Sequence, residues 1–149
     1  MRLVVVDLIP ALLSWEGRDH SRDPQVAPDA AAALGDLFMR FRMAGVVDAA
    51  SETSGSQLRD HLGRNELLDY FDMVGTTAEF GPTMSPRVMR RIVRVLGGPD
   101  DRTLLVTARS ELIEPFSRSR IPLVITTMAE FGSVVEVVDG LLGGGRINP

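Results

Sequence analysis

Short runs of Leu, Val and Ile recur along this chain, each followed by a longer segment with apolar residues at helical spacing. That alternation is the pattern of a parallel sheet covered by helices. Five runs read as strands: residues 2–7, 46–50, 73–76, 103–107 and 123–126. Most are apolar throughout, as strands buried on both faces should be. The first intervening helix starts at Pro28 and Asp29 and carries Leu34, Leu37, Phe38, Phe41 and Met43 on one side before Gly45 ends it. Others are expected over residues 54–62, with a further turn at 66–70, and over 85–96, where Val88, Ile92, Val95 and Leu96 form the stripe and Gly97, Gly98 and Pro99 stop it. The last two cover residues 110–118, interrupted near Pro115, and 128–142, with Val134, Val135, Val138 and Leu141 facing inward. The fold class is therefore α/β, a three-layer Rossmann-like parallel sheet of about five strands with helices on both faces. A chain of 149 residues suits one domain, over 1–142, and the 143–149 tail has no packing signal and is expected to be flexible.

Composition closes several routes to chemistry. All 16 basic residues are arginine, so no mechanism that needs a lysine is open. The absence of cysteine removes thiolate catalysis and cysteine-built zinc sites. His20 and His61 fit no metal-ligand spacing, so no metal site is expected from them. A net charge of −4 argues against general nucleic-acid binding, which needs a basic footprint. No apolar stretch has the length of a membrane span, and the early first strand leaves no room for a signal peptide, so a cytoplasmic location is expected.

One segment exceeds what a minimal α/β unit needs. Residues 14–27 form a long, charged loop that leaves directly from the first strand and holds Trp15, the only tryptophan, and His20. In an open parallel sheet, ligands bind beyond the carboxyl ends of the strands. A lid or docking role through Trp15 is one reading of this loop, and a plain connector is the other.

The first strand runs into Asp7, and the position two residues on is Ile9. Together with the stretch GVVDAASETSGSQLRDHLGRNELLDYFDMVGTTAEFGPTMSPRVMRRIVRVLG, this resembles the haloacid dehalogenase superfamily of phosphatases and phosphotransferases, over nearly the whole chain. The resemblance implies a HAD-like fold without a substantial cap domain. It also implies roles position by position. Asp7 matches the nucleophile of hhhDxDx(T/V), Ile9 stands where the acid/base aspartate belongs, and Pro10 and Ala11 replace the small and hydroxyl residues that follow. Ser51 matches the phosphate-binding Ser or Thr at the end of the second strand. Met84 takes the place of the lysine before proline, and Thr107 and Ala108 stand where magnesium-binding Gly-Asp is expected.

Isoleucine can neither protonate a leaving oxygen nor activate water, so the resemblance predicts a frame whose reaction is disabled. The expected function is an inactive HAD-like domain serving as a protein-interaction or regulatory module, with no cofactor. Ile9, Pro10, Ala11, Met84 and Ala108 would fill or dry the former pocket, and Asp7 would bond nearby backbone amides. One alternative is a weak or altered phosphohydrolase using Asp7, Ser51, Thr53 and Glu111, with Asp48 or Glu52 as acid and magnesium as cofactor. A second is a phosphate or nucleotide site built from Ser51, Thr53, Ser54 and Gly55 at a helix start. For partners, Arg87, Arg90, Arg91 and Arg94 line up at spacings of three and four on one helix face. That stripe suits an acidic protein. Self-association through Met- and Phe-containing faces is the other expectation.

Overall fold

The computed structural model describes residues 2–96 and 102–143. Five parallel strands form the sheet: β1 (Leu3–Asp7), β4 (Arg42–Val47), β5 (Met73–Thr76), β6 (Thr103–Thr107) and β7 (Leu123–Ile125), in the order β5-β4-β1-β6-β7. A separate antiparallel pair, β2 (Leu13–Ser14) with β3 (Gln25–Val26), makes a small flap within the long segment after β1. Helices α2 (Ala30–Phe38), α3 (Gly55–Arg64) and α6 (Val134–Val138) pack on one face, and α4 (Pro86–Leu96) and α5 (Ile113–Ser117) on the other. Between β1 and the flap lies α1 (Leu8–Ala11), a kinked turn in which Ile9 and Pro10 leave helical dihedrals.

Strand periodicity decides the two cores. Val4 and Val6 of β1 point into the α2/α3/α6 side and Leu3 and Val5 into the α4/α5 side, as a period of two requires. No helix among the described residues is long and apolar enough to cross a membrane.

Three expected element boundaries are corrected. Helix α2 ends at Phe38, not near Gly45, and the second strand begins at Arg42, not Val46. Phe41 and Met43 read at helical spacing, but Met43 pairs with Val4 in the sheet, and Phe38, expected inside, is half exposed. Pairing with β1 on one side and β5 on the other outweighs a local helical pattern that short apolar runs leave ambiguous. Gly45 is therefore a strand residue. Leu8 lies directly over it, and a Cβ there would come within 2.9 Å of Leu8 Cδ1. Gly45→Val is expected to cost about 1–3 kcal/mol by overpacking, read as a lower urea midpoint with an unchanged slope.

The third correction is at the last helix, which is shorter and more broken than expected. A 3-10 turn (Phe131–Ser133), α6 and a π turn (Asp139–Gly143) follow one another, burying Val134, Val138 and Leu142 while Leu141 faces solvent. The π turn shifts the register, which explains the exchange of Leu141 for Leu142. Gly97, Gly98 and Pro99 and most of the 143–149 tail lie outside the described residues.

Candidate functional site

Strand β1 sits in the middle of the sheet, and its neighbours β4 and β6 lead the chain to opposite sides. The carboxyl end of β1 is thus the switch point where α/β sheets open a crevice. Asp7 stands there, with only 1% of its surface exposed. Asp48 directly follows β4, Thr107 ends β6, and Arg109 comes two residues later.

These four side chains form one network. Asp7 Oδ2 accepts from Thr107 Oγ1 at 2.6 Å and from Arg109 Nε at 2.7 Å. Arg109 turns its other two nitrogens to Asp48, Nη1 to Oδ2 at 2.6 Å and Nη2 to Oδ1 at 3.0 Å. This is the fork geometry that only a guanidinium provides. Asp48 Oδ1 also accepts from the backbone N–H of Met84 at 2.9 Å, and Thr107 Oγ1 accepts from the Arg109 N–H at 3.1 Å. Three strand ends are thereby tied together by one arginine.

Burial pushes the Asp7 carboxyl up from its ordinary value, opposed by the hydrogen bonds from Arg109 and Thr107 and by the Arg109 charge. Burial also works against the Arg109 charge, but the bonds and the attraction of Asp48 and Asp7 outweigh it, so Arg109 stays a cation. With both carboxyls ionised the trio carries one net negative charge. Asp7 was expected to bond backbone amides; it bonds side chains instead, because a charged partner compensates a buried carboxylate better than a neutral amide does.

Beside the network is a cleft of about 360 Å³ lined by Asp7, Ile9, Pro10, Val47, Asp48, Ala50, Ser51 and Arg109. The replacements at Ile9 and Pro10 dry its wall but do not fill it. Ala11 is sealed in the core and Met84 packs between the sheet and α4, so neither occupies the cleft. Ala108 packs against the opposite core. Ser51, expected at a strand end, lies beyond it because β4 stops at Val47; Asp48 takes the strand-end place and Ser51 Oγ caps the Thr53 N–H at 3.0 Å. Glu111 is exposed on a 3-10 turn (Ser110–Leu112) and does not line the cleft.

A larger groove, about 460 Å³, runs along Phe116, Ile121, Leu123 and Ile125 at the β7 edge. Its only ionisable lining residue is Arg120, whereas the smaller cleft gathers Asp7, Asp48 and Arg109.

The 14–27 segment is fastened to α3 and contributes no residue to the cleft. Trp15 stacks on His20 with ring centroids 4.2 Å apart, and its indole N–H donates to the Arg22 carbonyl at 2.8 Å. His20 Nδ1 shares a hydrogen bond with Thr53 Oγ1, and His61 Nε2 donates to the His20 carbonyl at 2.7 Å. The two histidines, distant in sequence, therefore meet as a strap. Ser54 caps α3 in a reciprocal pair with Gln57, so the hydroxyls expected to hold an anion are engaged internally.

Solved structures share this architecture. A protein from Corynebacterium glutamicum is 16% identical with 96% of each chain covered, at a TM-score of 0.67. A HAD-superfamily hydrolase of subfamily IA from Geobacter sulfurreducens is 11% identical over 92% of this chain and 99% of its own, also at 0.67. The chain has a haloacid dehalogenase-like fold. The L-2-haloacid dehalogenase of Xanthobacter autotrophicus matches at 20% identity and a TM-score of 0.55, over 83% of this chain and about half (49%) of its own length. No family model and no curated protein matches the sequence.

The HAD-like fold raises the question of a magnesium ion at Asp7, and the donor set does not fit one. Among the described residues no three His, Asp or Glu side chains gather where a metal could be held. The two carboxylates that do meet, Asp7 and Asp48, are bridged by a guanidinium that already supplies the positive charge. A hard divalent ion needs several free oxygen ligands in place. Sequence reasoning passed over Arg109 and kept Asp48 only as an alternative acid. The one available signal was an arginine two residues past a strand end in a chain without lysine.

Proposed function

We propose that this chain is a catalytically inactive HAD-like domain of the cytoplasm that works as a protein-interaction or regulatory module. The observation that carries this reading is the Arg109 guanidinium locked between Asp7 and Asp48. A nucleophilic carboxylate must approach phosphorus with a free lone pair while a cation neutralises the phosphoryl oxygens. Asp7 keeps Oδ1 for such an approach, but Arg109 directs all three of its nitrogens at carboxylates and leaves none for the phosphoryl oxygens. Ile9 offers no proton, and the Met84 side chain is in the core. These groups act together, so the loss of several is not additive damage but loss of the reaction.

The surface that suits a partner is α4. Arg87, Arg90 and Arg94 are exposed and make no ion pair among the described residues. Arg91, the fourth member of the expected stripe, instead holds the Phe80 carbonyl at 2.7 Å and fixes the loop before the helix. Three exposed guanidinium groups complement an acidic segment of a protein. Nucleic acid fits less well, given the net charge of −4.

Aryl-phosphate turnover with magnesium, measured on wild type and Asp7→Asn from one preparation, is expected to show the same background rate in both. Turnover lost in Asp7→Asn would overturn the inactive reading. On the same samples, a glutamate-rich peptide is expected to bind in a salt-sensitive way and to lose at least about tenfold in affinity in Arg87→Glu/Arg90→Glu/Arg94→Glu, as three reversed charges imply.

A further inference from the structure

The Asp7 carboxylate is only half used. Its Oδ2 takes both hydrogen bonds, from Thr107 and Arg109, whereas Oδ1 accepts none from the protein. The side chain is 98% buried, its exposure being 2%, and it lines the 360 Å³ cleft. Oδ1 is not sealed from solvent and keeps its trace of exposure where Asp7 lines the cleft, so a ligand with a donor at that point would take the place of water there. Asp48, Ser51 and Arg109 complete the polar side of the wall, and the other side is aliphatic, from Ile9, Pro10, Val47 and Ala50.

We propose that this cleft binds a small aliphatic amine, its ammonium group on Asp7 Oδ1 and its chain along Ile9, Pro10, Val47 and Ala50. The alternatives fail on charge. An anion would meet two carboxylates, and the one cation nearby, Arg109, is turned toward both of them. A divalent metal would have to evict that arginine. A neutral apolar molecule would leave Asp7 Oδ1 dry. An ammonium supplies three donors and the single positive charge that balances the trio when both carboxyls are ionised. The cleft volume accommodates a chain of a few carbons.

This inference rests on reading Asp7 as a binding group and not a nucleophile, and its test separates the two. Isotope-labelled wild type is titrated with butylammonium, butyrate and inorganic phosphate at matched ionic strength, following backbone amide shifts. Butylammonium is expected to shift amides around residues 7–9 and 47–51, saturating in roughly the millimolar range that a ligand of a few heavy atoms permits. Asp7→Asn is expected to weaken this at least about tenfold, as loss of a charge-assisted contact does. Ala50→Leu fills the cleft mouth from an exposed position and is expected to weaken it without touching the network. Binding of phosphate or butyrate at these amides in preference to the amine would overturn the proposal, as would amine binding unchanged in both variants or no shift with any probe. Asp7-dependent phosphatase turnover, by contrast, would overturn the inactive reading itself.

Discussion

Arg109→Ala lowers the stability of the domain by about 3–5 kcal/mol, the cost of removing one partner from a buried ion pair. For a domain of this size that is a fall in melting temperature of roughly 10 °C. The reason is local. Without the guanidinium, the Asp7 and Asp48 carboxylates face each other with only Thr107 and the Met84 amide to satisfy them. Arg109→Lys recovers only part of the loss, because an ammonium cannot hold Nε and both Nη contacts at once. Adding Asp7→Asn to Arg109→Ala recovers part as well, since one of the two like charges is gone.

The pH dependence has a definite sign. Burial raises the Asp7 pKa above its ordinary value of 3.8. The folded state therefore holds this proton more tightly than the unfolded chain, and the stability Asp7 contributes is present at low pH and lost as pH rises through the folded pKa. Asp7→Asn alone is expected to equal or exceed wild type in stability at neutral pH, with the difference closing as pH falls toward 3.8. In Arg109→Ala the groups opposing that rise are reduced to Thr107, so the damage shrinks further on acidification. Thermal melts between about pH 4 and 7, the window between the ordinary carboxylate range and neutrality, check both statements. A variant equally destabilised at every pH would show that packing, not charge, is what Arg109 supplies.

Phe131→Ala is expected to cost a comparable 3–5 kcal/mol, the range for emptying a buried aromatic site. Phe131 is fully buried in the core formed by α2, α3, α6 and the sheet. Helix α6 has only five residues, too few to be stable in isolation, so its hold on the sheet is tertiary packing around Phe131, Val134 and Val138. Hydrogen exchange is expected to show protection lost first in residues 131–138, while the sheet amides of β1 and β4 stay protected. The cleft at Asp7 lies at the strand ends and is built from other residues, so amine binding should persist in this variant.

The layers were legible because burial on both faces leaves a direct mark on strand composition. The strands expected over 73–76 and 103–107 have those bounds, and the helix expected over 85–96 differs from α4 by one residue. The α2–β4 junction was not legible. Met43 satisfies a helical and a strand pattern equally, and only its seat beside Val4 of β1 chooses between them. That displacement propagated to the site, since a second strand ending at Val47 brings Asp48, and not Ser51, beside Asp7.

By itself the sequence determined the α/β class, the place of Asp7 at the end of the first strand, and the absence of an acid at Ile9, a lysine and a cysteine. These are properties of residue type and local period. Tertiary structure alone decided that Arg109, separated from Asp7 by 102 positions and from Asp48 by 61, closes the two carboxylates into one network, and that His20 and His61 join the flap to α3. Such contacts depend on which strands lie side by side. Strand order is fixed by the packing of the whole sheet, and no local pattern records it.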